Sequence, residues 1–307
     1  MGRRRTEREQ IRKLKKGYYH MSTDGWQEGL LFYTTAQFAY GMIVLGLLTL
    51  FFDVKIHSLT LMPNHIHILL SGTGSACLDA FDYFKKKLSA KLVKDGYPPL
   101  PEDYWFKLVP VESPEQLMNA FIYIDRNPYE KEMCLPGCYP WSSSYLHHSF
   151  LGPMITGRRA DTMNAHELAK LTGTRKPVPG HWQFHPVLGL LPSSFIDDRP
   201  FKRSFKRPKE YGVRLMKDYE AIVKVAKSLD ETPEYSPEEV RDIINRLLQS
   251  RYSGRQMHYL SNDEKGRLAV LLATDYLMPV ELIAKHIGLS EHIVRQFLRA
   301  KDYGKPK

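Results

Sequence analysis

"LTLMPNHIHILLSG" (59–72) decides how the first half of the chain is read. A Pro63-Asn64 turn interrupts its apolar run, and two histidines follow one residue apart. Successive side chains of a strand alternate faces, so His65 and His67 point one way while Ile66, Ile68 and Leu70 point the other. One face suits a core. The other offers two imidazole nitrogens at a nearly constant separation. "VKIHSLTLM" (54–62) also has strand character, so the turn predicts a hairpin of 54–62 with 65–72.

The neighbouring segments extend that hairpin into a domain. "GYYHMSTDGW" (17–26) alternates weakly and reads as a first strand. "GSACLDAFDYFKKKLSAKLVKD" (74–95) is an amphipathic helix whose polar side carries Lys85, Lys86, Lys87, Lys91 and Lys94. "YWFKLVPV" (104–111) is a further strand, with Lys107 on it. "SPEQLMNAFIYIDRNP" (113–128) opens as a helix with Ser113 as N-cap, Pro114 in the first turn and Gln116 closing a capping box. Its end is expected before Pro128. The order predicts an α+β domain over 17–150, an antiparallel sheet with flanking helices, behind a basic arm at 1–16.

"GLLFYTTAQFAYGMIVLGLLTLFF" (29–52) holds no charged residue and is long enough to cross a bilayer. Thr34, Thr35 and Gln37 inside it, and its direct continuation into strand-like sequence, favour a buried helix capped near Thr34 or Thr35. No membrane partner is therefore expected.

The whole chain has 307 residues, 43% of them hydrophobic, and a net charge of +10. That length allows two domains or one large one, and the charge asks for an anionic partner, nucleic acid before a membrane surface. Three cysteines, Cys77, Cys134 and Cys138, are too few for a disulfide framework and lack zinc-finger spacing. "MGRRRTEREQIRKLKK" shows no secretory signal, so a cytoplasmic protein with reduced thiols is expected.

Tyr123 and Asn127 lie four apart on the 113–128 helix and so share a face, beside the apolar stripe Leu117, Phe121 and Ile124. A phenol and an amide oxygen can thus face the histidine strand. A histidine-triad hydrolase needs a third alternating histidine where Leu69 stands, and a metallo-lactamase site needs an Asp-His that "ILLSGTG" lacks. Two buried imidazoles bonded to backbone are the structural alternative.

"LMPNHIHILL", then "YIDRNP", then "YPWSSSY" (139–145) resemble, in order and spacing, the REP-associated tyrosine transposases, which are single-tyrosine HUH nucleases (His, hydrophobic residue, His). The resemblance covers roughly 17–150. It implies a ferredoxin-like HUH nuclease domain, with His65, His67 and Asn127 as ligands of a divalent ion, Mg2+ or Mn2+, and Tyr123 as nucleophile. It also implies cleavage and transfer of single-stranded or hairpin DNA, from palindromic repeats, through a 5′-phosphotyrosine, by a monomer or a homodimer. Two departures stand out: "STDGWQEG" replaces the family's Arg-Gly-Asn run, and Asp125 replaces a frequent histidine. A non-catalytic DNA-binding regulator that keeps the fold is the rival reading.

Phosphate contacts are expected from Lys85, Lys86, Lys87 and Lys91, and from the arm residues Arg3, Arg4, Arg5, Arg8, Arg12, Lys13, Lys15 and Lys16. Lys107 either reaches the site or faces water. Beyond residue 150, 151–235 reads as a basic, loop-rich linker. Its "RPFKRSFKRPKEYG" (199–212) interleaves Phe201, Phe205 and Tyr211 with basic residues, as nucleic-acid-binding segments and linkers both do. Residues 236–307 read as a helical DNA-binding domain. Ser236 with Glu239, and Ser261 with Glu264, are capping boxes. "VELIAKHIGLSEHIVRQFLRA" (280–300) is helix, turn and helix, with Ala284 at the crossing, Gly288 in the turn, Ser290 as cap and Val294 packing back. Glu291, His292, Arg295, Gln296 and Arg299 face outward. This tail resembles that of the family's longer members.

Overall fold

The hairpin is present: β2 (Val54–Leu61) pairs antiparallel with β3 (Ile66–Gly72), with a bulge between Ile56 and Ser58. The computed structural model describes residues 2–23, 29–130, 133, 137–147, 154–215, 226, 229, 233, 235 and 237–302. Cys134 and Ser236, and the side chains of Arg3 and Arg4, lie outside the described residues. Two units form, one from the residues up to Leu215 and one from the C-terminal helices.

In the first unit β1 (Gly17–Ser22) lies between β3 and β4 (Lys107–Val111), all pairs antiparallel, giving the order β2-β3-β1-β4. A short helix, α1 (Gly2–Arg12), precedes β1. With α2 (Thr35–Phe51) and α3 (Gly74–Lys94) as the connections, the core is a β-α-β-β-α-β ferredoxin-like arrangement. The fold is α+β, as expected. One sheet face, with Met21, Leu59, Ile66, Ile68 and Leu70, packs on Met42, Leu45 and Leu48 of α2 and Phe81, Phe84 and Leu88 of α3.

α2 starts where Thr34 accepts the Gln37 amide at 3.4 Å. Its all-round apolar character has a structural reason. Ile43 and Leu47, on the side away from the sheet, pack with Trp182, Phe184 and Leu190. Those partners come from a small second sheet, β5 (Arg158–Arg159), β6 (Gln183–His185) and β7 (Gly189–Leu190). At Gly46 a Cβ would stand 2.1 Å from Leu190, so only glycine lets this approach happen. Among the described residues no helix is long and apolar enough to cross a membrane.

α4 (Pro114–Glu130) covers the other sheet face. Its capping box is made: Ser113 accepts the Gln116 amide, and Gln116 accepts the Ser113 amide, both at 3.1 Å. The helix does not stop before Pro128; it runs through it to Glu130. A proline inside a helix leaves the carbonyl four residues back without its amide. Here that carbonyl belongs to Ile124, and the Thr60 hydroxyl of β2 donates to it at 2.9 Å.

The boundary expected at 150 falls differently. Residues 154–215 belong to the first unit, and they include α5 (Ala165–Thr172), α6 (Arg199–Ser204) and α7 (Pro208–Leu215). Asp197 N–H donates to the Ile56 carbonyl at 2.8 Å, tying this extension to β2. Phe201, Phe205 and Tyr211 are buried, so they are core residues and not platforms for stacking bases. The reason is apolar burial: three rings in a short helical stretch cover α4 better than they serve a solvated linker.

The second unit consists of α8 (Pro237–Arg251), α9 (Asn262–Asp275), α10 (Val280–Ile287) and α11 (Glu291–Asp302). Its core joins Ile243, Leu247, Leu268, Leu272, Ile283, Ile287 and Val294. The Ser261–Glu264 capping box is made. Gly288, at φ +69°, ends α10 in the left-handed region, and Ser290 accepts the Ile293 amide at 3.4 Å as α11 begins.

Candidate active site

Strand register gathers the site. Lys107, Ser22, His67 and Thr60 stand in one row across β4, β1, β3 and β2 and therefore point to one face. α4 lies over that face and brings Tyr123 and Asn127 down on it, one turn apart. His65, His67, Tyr123 and Asn127 are all buried.

The polar atoms converge on one amide. His65 Nε2 lies 3.0 Å from Asn127 Oδ1, and His67 Nε2 lies 3.1 Å from Asn127 Nδ2. The Tyr123 ring stands edge-on to His67 with centroids 5.4 Å apart. The four residues expected from sequence to act together are thus brought together.

A fifth residue, which the motif reading did not single out, completes the group. His20 of β1 stacks on His67 at 5.3 Å between centroids, and its Nε2 lies 3.2 Å from His67 Nδ1. Its ring also meets Tyr123 edge-on at 5.9 Å. Burial, with the Lys107 charge adding to it, pushes His20 down to about 3, so the ring is neutral and its Nε2 can accept. The Asn127 Nδ2 amide donates to His67 Nε2, which leaves the His67 proton on Nδ1, toward His20. The signal was the alternation of "YYHMS" (18–22), which puts Tyr19 and Met21 in the core and His20 on the histidine face.

The donor chemistry fits a divalent cation. His65 Nδ1–H donates to Asn64 Oδ1 at 2.8 Å, which turns the Nε2 lone pair toward the lone pairs of Asn127 Oδ1. Two acceptors at that separation repel unless a proton or a cation sits between them. The 3.0 Å between His65 Nε2 and Asn127 Oδ1 suits two donors of one small divalent ion, while His67 Nε2 accepts from the Asn127 Nδ2 amide at 3.1 Å. Among the described residues no three His, Cys, Asp or Glu side chains cluster at ligand spacing. A protein-held ion here therefore depends on Asn127 as third donor.

Between α4 and the β2 edge lies a second polar group. Asp125 accepts from His147 Nδ1 at 2.5 Å, from the Tyr211 hydroxyl at 2.8 Å and from the Ser58 hydroxyl at 3.3 Å. Phe201 stacks on His147 at 3.9 Å. Burial, and then the Asp125 charge, hold the Tyr211 phenol well above its ordinary value. Next to it, Arg126 donates to the Leu215 carbonyl at 2.7 Å. Ser143 and Ser142 of the "YPWSSSY" stretch pair with Leu59 and Thr60 along the outer edge of β2.

The expected phosphate-binding cations divide. Lys85 donates to the Glu102 and Tyr104 carbonyls at 2.8 and 2.9 Å, and Lys91 pairs with Asp95 at 2.6 Å. Arg8, Arg12 and Lys16 pair with Asp82, Asp79 and Asp53. Lys87 lies over the Tyr83 ring at 5.4 Å, while Lys86 and Lys107 are exposed. In the second unit Arg295 pairs with Glu281 at 2.8 Å and Glu291 at 3.4 Å, and Arg299 is exposed.

No family model matches the chain, and no curated protein matches it. One solved structure, a REP-associated tyrosine transposase bound to a REP hairpin, is similar at 15% identity and a TM-score of 0.36, over 44% of this chain and 82% of that one.

Proposed function

We propose that the chain is a metal-dependent DNA strand nuclease and transferase with Tyr123 as nucleophile and His65, His67 and Asn127 as ligands of Mg2+ or Mn2+. One observation carries this reading: both imidazole Nε2 atoms meet the Asn127 amide while the Tyr123 ring lies against His67. Imidazole ligands favour manganese and an amide oxygen suits magnesium. A bound divalent ion supplies positive charge that polarises a phosphate oxygen and offsets the repulsion between anion and nucleophile.

The chain's own groups do the positioning. His20 keeps His67 in one tautomer, and Asn64 does the same for His65. Thr60 secures the turn of α4 that spaces Tyr123 from Asn127. A phenol has an ordinary pKa near 10, so Tyr123 must give up its proton as it attacks. Its oxygen bonds to phosphorus while the P–O3′ bond breaks. The departing 3′ oxygen gains a proton, which leaves a 5′-phosphotyrosine and a free 3′-hydroxyl with no net proton change. Because the ester is retained, the same step reversed on another 3′-hydroxyl joins strands without ATP.

Single-stranded or hairpin DNA is the substrate class this supports, since a buried nucleophile needs a splayed backbone. The α10–turn–α11 unit, with Arg299 exposed and Arg295 held by two glutamates, is a duplex-reading module in this scheme.

The test uses labelled DNA hairpins with Mg2+ or Mn2+ and a denaturing gel. The full-length protein should give a covalent protein–DNA band that Tyr123→Phe loses while still binding the hairpin. If no hairpin ever yields that band, a non-catalytic DNA-binding regulator replaces this reading. If Tyr123→Phe still cleaves, water is the nucleophile and the mechanism is wrong.

A further inference from the structure

The second unit has an open groove on a side of α11 other than its outward face. It lies where the end of α8, the turn after it, α9 and α11 meet, and Arg251, Tyr252, Arg255, Glu264, Arg267 and Phe297 line it. Gly266 shapes its floor: a Cβ there would stand 2.3 Å from the Phe297 ring, so the ring lies directly on the α9 backbone.

The charge in this groove is unbalanced. Glu264 is its one acid, and it already accepts from the Ser261 amide at 2.9 Å and pairs with Arg255. Arg251 and Arg267 have no acidic partner among the described residues, and both are exposed. Arg295, by contrast, is held by two glutamates. Arg251, Arg255 and Arg267 all line the same opening. Burial raises the Tyr252 phenol, Arg267 opposes that rise, Glu264 adds to it, and Arg255 and Arg251 oppose it.

We infer that this groove binds the phosphodiester backbone of DNA, as a contact separate from the outward face of α11. Guanidinium groups present forked donors that match phosphate oxygens, and two of them here lack a carboxylate. The chain's net charge of +10 favours an anionic polymer over a neutral partner. The inference deepens the DNA-binding part of the proposed function and needs neither metal nor cleavage.

The test is fluorescence polarisation of a labelled DNA hairpin against the full-length protein, without metal, over a series of salt concentrations. Arg251→Gln with Arg267→Gln should weaken binding by about tenfold at low salt and make the log–log salt slope shallower by about two, because each phosphate contact contributes about one. A charge-matched control, Lys55→Gln with Lys170→Gln, removes two exposed cations outside the groove and should leave the slope nearly unchanged. Circular dichroism should be the same for all three proteins. If the groove pair behaves like the control, or the wild type does not bind DNA, the inference falls. It also falls if calorimetry shows ATP binding that the groove pair abolishes while the DNA isotherm stays put, since the groove then serves a free nucleotide. A wild type that binds with the expected slope yet never forms a covalent band removes the nuclease reading and leaves this one standing.

Discussion

Asp125 and His147 meet at 2.5 Å with neither side chain exposed to solvent, and Asp125 lies on the same helix as Tyr123 and Asn127. Two side chains on one face of α4 enter the candidate site, and the residue between them faces the other way and is anchored by His147, Tyr211 and Ser58. The 199–215 segment thus holds the helix that presents the candidate nucleophile. Breaking a buried pair by removing one partner costs about 3–5 kcal/mol, so Asp125→Ala should lower the urea midpoint by that equivalent. Tyr211→Phe removes one donor and should cost about 1–3 kcal/mol. A Tyr211→Phe midpoint equal to wild type would show that this hydroxyl does not support the helix.

His20 should tune metal binding without touching the metal. Replacing a group that orients a ligating histidine typically lowers metal affinity by about 10–100-fold. His20→Phe should show that loss for Mn2+ by calorimetry, while hairpin binding without metal stays level. Unchanged Mn2+ affinity would remove His20 from the site.

Thr60 should matter to α4 through one hydroxyl. Thr60→Val leaves the Ile124 carbonyl buried without its donor, at a cost of about 1–3 kcal/mol. Thr60→Ser should recover most of that stability in chemical denaturation. Equal stability of the valine and serine variants would show that Pro128 needs no such compensation.

Gly46 should tolerate no side chain while Leu190 stays in place. Gly46→Ala forces α2 off β7 and should cost about 1–3 kcal/mol by overpacking. Combining it with Leu190→Ala should give less than the sum of the two single losses, because the second change vacates the space the first one needs.

His57 should make the first unit acid-sensitive. Burial is the main cause pushing its pKa below the ordinary value, and the Asp197 carbonyl, 2.9 Å from Nδ1, partly opposes it. The unfolded chain then takes up a proton that the folded chain refuses. Stability is therefore full above the ordinary histidine value near 6.5 and falls as pH drops below it. Urea midpoints measured from pH 7 to 5 should decline, and His57→Gln should make that decline shallower, with buried His20 supplying the remainder.

Local sequence rules were enough for the elements that build the site. Alternation put His65 and His67 on one face, four-residue spacing put Tyr123 and Asn127 on another, and the Ser113–Gln116 box started the helix between them. These features depend on neighbours a few residues apart, so they are written in the chain itself. Tertiary structure decided what covers each face. The apolar stretch at 29–52 looked able to cross a bilayer because nothing local shows that Trp182, Phe184 and Leu190 bury its second side. His20 joined the site through strand register, and Lys85, Lys91 and Arg8 were drawn into contacts inside the fold. Pro128 stayed helical because Thr60, distant in sequence, supplies the missing donor. Contacts between segments far apart in sequence leave no periodic trace, so only the folded chain could show them.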